Sequence, residues 1–125
     1  MSYDIEFLMN SIEKWLTDGS LNQDILSNDF TFTSPFWKHA DKNEFLEKFL
    51  DPTEYIEKSL SNIIKFDPII CCISKDHSYF TLTLTYHTKN GTSVDEVVVC
   101  TIKNGLLHKM KTIYDLELTK KAHNL

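Results

Sequence analysis

Apolar side chains recur as Ile5, Leu8, Met9, Ile12, Trp15 and Leu16, the spacing of one helix face, and predict a helix from Tyr3 to Thr17. Asp18-Gly19 closes it. Ser20-Leu21-Asn22-Gln23 then reads as a capping box that opens a short second helix carrying Leu21, Ile25 and Leu26. Phe30, Phe32, Ser34 and Phe36 alternate with Asp29, Thr31, Thr33 and Pro35, the pattern of a strand with one aromatic face that ends near Pro35. Asp41 followed by Glu44 is a second capping signal, and the helix it starts buries Phe45, Leu46, Phe49 and Leu50. Asp51-Pro52-Thr53-Glu54 repeats the signal with Pro at the first helical position. It predicts a further helix from Pro52 to about Ile64, with Tyr55, Ile56, Leu60 and Ile63 inward.

Beyond Phe66 the period falls to two, giving strands over 67–74, 78–88, 94–103 and 106–117 and an exposed or frayed tail from Thr119 to Leu125. Asn90-Gly91 and Asn104-Gly105 are type I′ hairpin signals, because both central residues of that turn need positive φ. Counting outward from two-residue loops assigns every side chain of the meander to a face. One face gathers Phe80, Leu82, Leu84 and Tyr86, then Asp95, Val97, Val99 and Thr101, then His108, Met110, Thr112 and Tyr114. It carries the larger apolar groups and is the side that helices should cover. The opposite face mixes Thr, Lys, Val, Ile and Leu, and such a contiguous apolar patch favours a homodimer packed through the sheet.

A chain of 125 residues with 42% apolar side chains has the size and content of one domain. Its net charge of −5 argues against nucleic acid and anionic membrane surfaces as partners. All 13 basic residues are lysines, so no guanidinium fork is available to a carboxylate or phosphate. No basic leader or run of 18 apolar residues occurs, and the expected location is cytoplasmic. Cys71, Cys72 and Cys100 lack CxxC spacing and read as reduced structural thiols rather than a disulfide framework or zinc site. Five histidines without HxH or HExxH spacing and only three glycines give no metal signature and no phosphate loop, so no cofactor is expected.

The order helix, helix, strand, helix, helix and meander resembles the nuclear transport factor 2-like superfamily, which includes ketosteroid isomerase and SnoaL-like polyketide cyclases. Asp18-Gly19 followed by Leu26 to Phe36 is similar to its passage of short helix, acidic residue, aromatic strand and Pro, and Val97 to Tyr114-Asp115 resembles its final hairpin. The resemblance implies an α+β, cone-shaped (cystatin-like) fold, a curved antiparallel sheet wrapped by N-terminal helices around an apolar pocket, commonly in a dimer. The family's isomerase roles do not carry over. Its general-base position before the Pro is Ser34, its oxyanion-hole acid falls near Val99, and its helix 1 tyrosine near Ile12. A neutral hydroxyl does not replace a carboxylate as base. Its epoxide hydrolases need an Arg between two Asp residues, which this chain lacks.

Within that frame the expected ligand is a small apolar molecule. Trp15, Phe32, Ser34, Phe36 and Trp37 are expected at the pocket mouth and wall, and Tyr86, Val99, Met110 and Tyr114 on its sheet side. Asp95 flanked by Tyr86 and Tyr114 is the most suggestive polar cluster, and His108 is the obvious acid or base near neutral pH. Asp95 and His108 are the candidate catalytic residues of a proton-transferring isomerase, cyclase or dehydratase. They lie too far apart along the sheet to act on one atom. A protein-interaction module working through the exposed sheet face is the reading from a different class.

Overall fold

In the computed structural model, which describes residues 2–50 and 59–125, the apolar stripe of the N-terminus becomes helix α1, Ile5–Asp18, with Leu8 and Ile12 fully buried. Asp4 caps it by accepting the Phe7 N–H at 2.8 Å, and Gly19 ends it at φ 82°, a conformation glycine adopts without steric cost. The expected second helix is one 3₁₀ turn, Gln23–Ile25. Asn22, not Ser20, caps that turn, and the Ser20 N–H is taken by Asp18. Leu26 leaves it because strand β1, Leu26–Thr33, begins there and pairs in parallel with strand β7, Leu106–Ile113.

Pro35 stops β1 as expected, and the chain turns through Ser34–Lys38 into the two-residue strand β2, Ala40–Asp41, which folds back on β1. The capping box at Asp41 forms reciprocally, with Glu44 N–H on Asp41 Oδ1 at 2.9 Å and Asp41 N–H on Glu44 Oε1 at 3.2 Å. It starts helix α2, Lys42–Phe49. Phe45 of this helix has no exposed surface and meets Trp15, Phe30, Phe32 and Phe49 at ring-centroid distances of 4.9 to 5.6 Å. This aromatic knot fastens α1 and α2 to β1, and truncating Phe45 to Ala should cost about 3–5 kcal/mol. Most of the predicted helix from Pro52 lies outside the described residues. Its last part is instead a 3₁₀ turn at Leu60–Asn62 followed by strand β3, Ile63–Phe66.

The remaining strands are β4, Ile70–Ile73, β5, Tyr79–Thr88, and β6, Ser93–Lys103. The expected strand over 67–74 is shortened to β4; β3 and β4 both pair with β5 and are separated by the segment containing Pro68, which has no N–H to give a ladder. The seven-stranded sheet runs β2-β1-β7-β6-β5-β3. All its pairs are antiparallel except β1 with β7, so the sheet is mixed rather than wholly antiparallel.

Two local irregularities overturn the expected facing of β6. The turn at Asn90-Gly91 has three residues, 89–91, closed by Thr88 N–H on Thr92 O at 3.0 Å, and only Gly91 (φ 88°) takes the left-handed conformation. Tyr86 therefore faces Val94, Leu84 faces Glu96 and Phe80 faces Cys100. A shift of one residue sends every β6 side chain to the opposite side. Val94, Glu96, Val98 and Cys100 point inward, while Asp95, Val97, Val99 and Thr101 point outward. Asn104-Gly105 is the expected two-residue turn, with φ 54° and 74°, but an irregularity follows between Thr101 and Ile102. It shifts the register once more and restores Met110 and Thr112 to the inner face.

The expected frayed tail is also corrected. Asp115 accepts the Leu118 N–H at 2.9 Å and caps helix α3, Leu116–Ala122, whose Ala122 is buried. Asn90 ties this helix to the β5–β6 turn by donating to Lys121 O at 2.8 Å. Among the described residues no helix is long and apolar enough to cross a membrane.

Candidate functional site

The curved sheet and the helices enclose a cavity of about 750 Å³. Its floor is the inner face of β5, β6 and β7 and the residue after β7, which bring Leu84, Tyr86, Glu96, Thr112 and Tyr114 together. Trp15 and Leu16 of α1, Phe32 of β1 and Phe49 of α2 form one wall, and Ile63 and Phe66 of β3 another. Phe36 and Trp37 stand exposed in the turn after β1, at the rim. Lys48 places its ammonium 4.7 Å from the centre of the Trp37 ring. Thr119, His123 and Leu125 close the far side.

Glu96 is the unexpected member. The inversion of β6 removes Asp95 from the site and puts the next carboxylate in its place, across from Leu84 and one ladder step from Tyr114. Burial pushes the Glu96 carboxyl up to about 7, because no nearby charge or hydrogen bond offsets its lost hydration. Burial also raises the Tyr86 and Tyr114 hydroxyls, and the Glu96 charge adds to both shifts. For Tyr114, hydrogen bonding from Ser34 and the Phe36 backbone pulls the other way. The Tyr86 hydroxyl lies 2.9 Å from His123 Nε2, and burial holds that imidazole below the usual histidine range, so it is neutral near pH 7. Thr112 Oγ1 and His123 Nδ1 are buried without a partner among the described residues.

Of the residues expected at a pocket from sequence, Trp15, Phe32, Ser34, Phe36, Trp37, Tyr86 and Tyr114 line this cavity. Met110 is buried in the core beside it, and Val99 faces the other side of the sheet. Asp95 is exposed and accepts a hydrogen bond from Thr85 Oγ1 at 2.6 Å. His108 sits at the register shift with Nδ1 3.2 Å from Asp29 Oδ1, outside the cavity lining. Neither candidate acid or base therefore reaches the cavity. Glu96 and His123 do, and sequence reasoning missed both. For the first the only signal was an acidic pair, Asp95-Glu96, inside a Val-rich run, and the Asp115 cap was the signal for the helix that delivers the second. On the outer face His87 joins Ser93 Oγ (2.7 Å) and Asp67 Oδ1 (2.9 Å), but none of the three lines the cavity. Among the described residues no group of three or more His, Cys, Asp or Glu side chains gathers closely enough to hold a metal ion.

No protein-family model matches this sequence, and no curated protein matches it significantly. Solved structures do. A protein from Bacillus subtilis proposed to be an isomerase superposes with a TM-score of 0.64 at 12% identity, over 93% of this chain and 91% of that one. A nuclear transport factor 2-like protein of unknown function from Cytophaga hutchinsonii gives 0.60 at 9% identity, over 89% and 99%. A protein from Pseudomonas putida proposed to be a polyketide cyclase gives 0.61 at 17% identity, over 93% and 95%. At such identities the likeness establishes the fold, and the chain has the α+β nuclear transport factor 2-like fold.

Proposed function

We propose that the cavity binds a small, largely apolar molecule whose one polar group meets Glu96. The observation that carries this reading is the placement of one acidic side chain, among the described residues, on the floor of an aromatic-walled cavity, beside two tyrosine hydroxyls. Pockets of this kind use apolar walls for affinity and a few convergent polar groups for orientation. Thr112 Oγ1 and His123 Nδ1 add unpaired polar atoms at the same place. A panel of apolar and steroid-like compounds tests it by thermal shift, since a ligand that saturates the native state at a hundredfold over its Kd stabilises it by about 2.7 kcal/mol. A shift reduced by the rim substitution Trp37→Ala, which removes an exposed side chain, supports the reading. A shift with no compound in the panel counts against it.

A second reading follows from the acidity of Glu96. A carboxyl near 7 can both take and return a proton at neutral pH, which suits isomerase, cyclase or dehydratase chemistry. In this reading Glu96 moves the proton and the tyrosine hydroxyls steady the developing charge. Turnover that survives Glu96→Gln unchanged removes it. The outer face, where Tyr79 and Ile113 are exposed beside Val97 and Val99, remains our proposed homodimer surface, and a monomer by sedimentation velocity at micromolar concentration would sink that assignment.

A further inference from the structure

Resting on the reading of the cavity as a binding site, we infer that its ligand class is a hydrophobic amine. The ammonium sits against the Glu96 carboxylate, and the apolar body lies among the aromatic walls. Glu96 is the one acidic side chain among the described cavity-lining residues. No described residue forms an ion pair with it. Among the described residues, the polar and charged side chains around it come from several elements. From β5 comes Tyr86, and after β7 comes Tyr114, both neutral phenols. After α3 comes His123, whose Nε2 is engaged by Tyr86 and whose burial disfavours the charged form. From α2 comes Lys48, which holds its ammonium over Trp37 at the rim. The α1 and β1 contributions, Trp15, Leu16, Phe32 and Ser34, carry no charge.

Among the described residues, Glu96 therefore has no cation against it. An anionic ligand would bring a second negative charge against Glu96 in a place of low dielectric, with no arginine anywhere in the chain to offset it. A neutral apolar ligand would leave the half-buried, desolvated carboxyl as costly as before, so a Gln or Leu at position 96 would serve it better. A neutral hydroxyl can donate to the carboxylate, but a cation also neutralises its charge, and it gains again wherever an aromatic face lies within about 6 Å. The pairing of Lys48 with Trp37 shows that an ammonium on an aromatic face is already accommodated at the rim. Binding has a proton signature. The amine enters protonated, Glu96 must be ionised to receive it, and below about pH 7 complex formation releases a proton from Glu96 to the buffer.

The test compares two probes of matched shape, naphthalen-1-ylmethylamine and naphthalen-1-ylmethanol, titrated calorimetrically into the full chain. We expect the amine to bind about tenfold or more tightly than the alcohol at pH 7.5 and to lose most of that advantage at pH 5.5. Runs at pH 6 in buffers of different ionisation enthalpy should show proton release with the amine and none with the alcohol. Glu96→Gln should erase the amine's advantage while leaving alcohol affinity within about threefold. Lys48→Ala, which removes the competing rim cation, should leave the advantage intact or enlarge it. If the alcohol binds wild-type protein as tightly as the amine, or the preference persists in Glu96→Gln, the amine assignment is overturned while the cavity reading stands. If neither probe binds and the compound panel is also silent, both readings fall together.

Discussion

Replacing Glu96 by Gln keeps the size and shape of the side chain and removes its titration, so it measures the cost of holding a carboxyl in the cavity. In the unfolded chain this group ionises near 4.5, whereas in the folded protein it does so at about 7. Between those values the folded state holds more proton than the unfolded one, so stability falls as pH rises from about 4.5 to about 7 and is level above. A displacement of that size is worth about 3 kcal/mol, and water reaching Glu96 through the cavity trims it to about 2 kcal/mol. Gln does not titrate and should lack this fall. Thermal unfolding of the two proteins should therefore coincide at pH 4 and diverge above pH 5. At pH 8 the variant should be more stable by about 2 kcal/mol, or about 8 °C in Tm for a chain of this size. Other titrating groups contribute equally to both proteins and cancel in the difference. Parallel curves from pH 4 to pH 8 would refute the claim that Glu96 is desolvated and unpaired.

Three further outcomes are expected. Asn90→Ala removes the amide that donates to Lys121 O and accepts the Thr92 N–H, and should cost about 1–2 kcal/mol with faster amide exchange confined first to α3. Unchanged α3 protection would remove Asn90's role as a tether. Alanine at Gly91 meets open space and pays only for its φ of 88°, about 1 kcal/mol. Gly105→Ala should be worse on chemical denaturation, because a Cβ there would run into Ser2 Cβ in addition to adopting φ 74°. Ellman's reagent should label Cys71 and Cys72, which are exposed, and spare buried Cys100 until unfolding. Cys71 should react more slowly than a free thiol, since burial and the neighbouring Glu13 raise its thiol.

Local chemistry made much of this fold legible. The apolar stripe of α1, the Asp41 box of α2 and the alternation of β5 are decided within a few residues, and each formed as its pattern dictates. The inner faces of β5 and β7 also followed from counting, though partly through cancellation. The extra residue in the turn at 89–91 and the irregularity near His108 each move the register by one, and two such moves restore the parity. β6, lying between them, is inverted, and so is Leu107 at the start of β7, which is buried opposite Ile102. Asn90-Gly91 misled because Asn90 serves through its side-chain amide, which bonds within the turn and to α3, and not through positive φ.

What the sequence determined by itself is therefore α1, α2, β1 and the three meander strands, with the aromatic wall and the tyrosines, since periodicity and capping act over one or two turns of chain. Which carboxylate faces inward was decided only in the tertiary structure. Asp95 and Glu96 are neighbours in a strand of period two, and a one-residue change in a turn selects between them. The same holds for His123, whose place beside Tyr86 depends on α3 docking against a hairpin turn about thirty residues earlier in the chain. Long-range packing set the chemistry of the cavity, because contacts between distant segments carry no local spacing that a sequence can display.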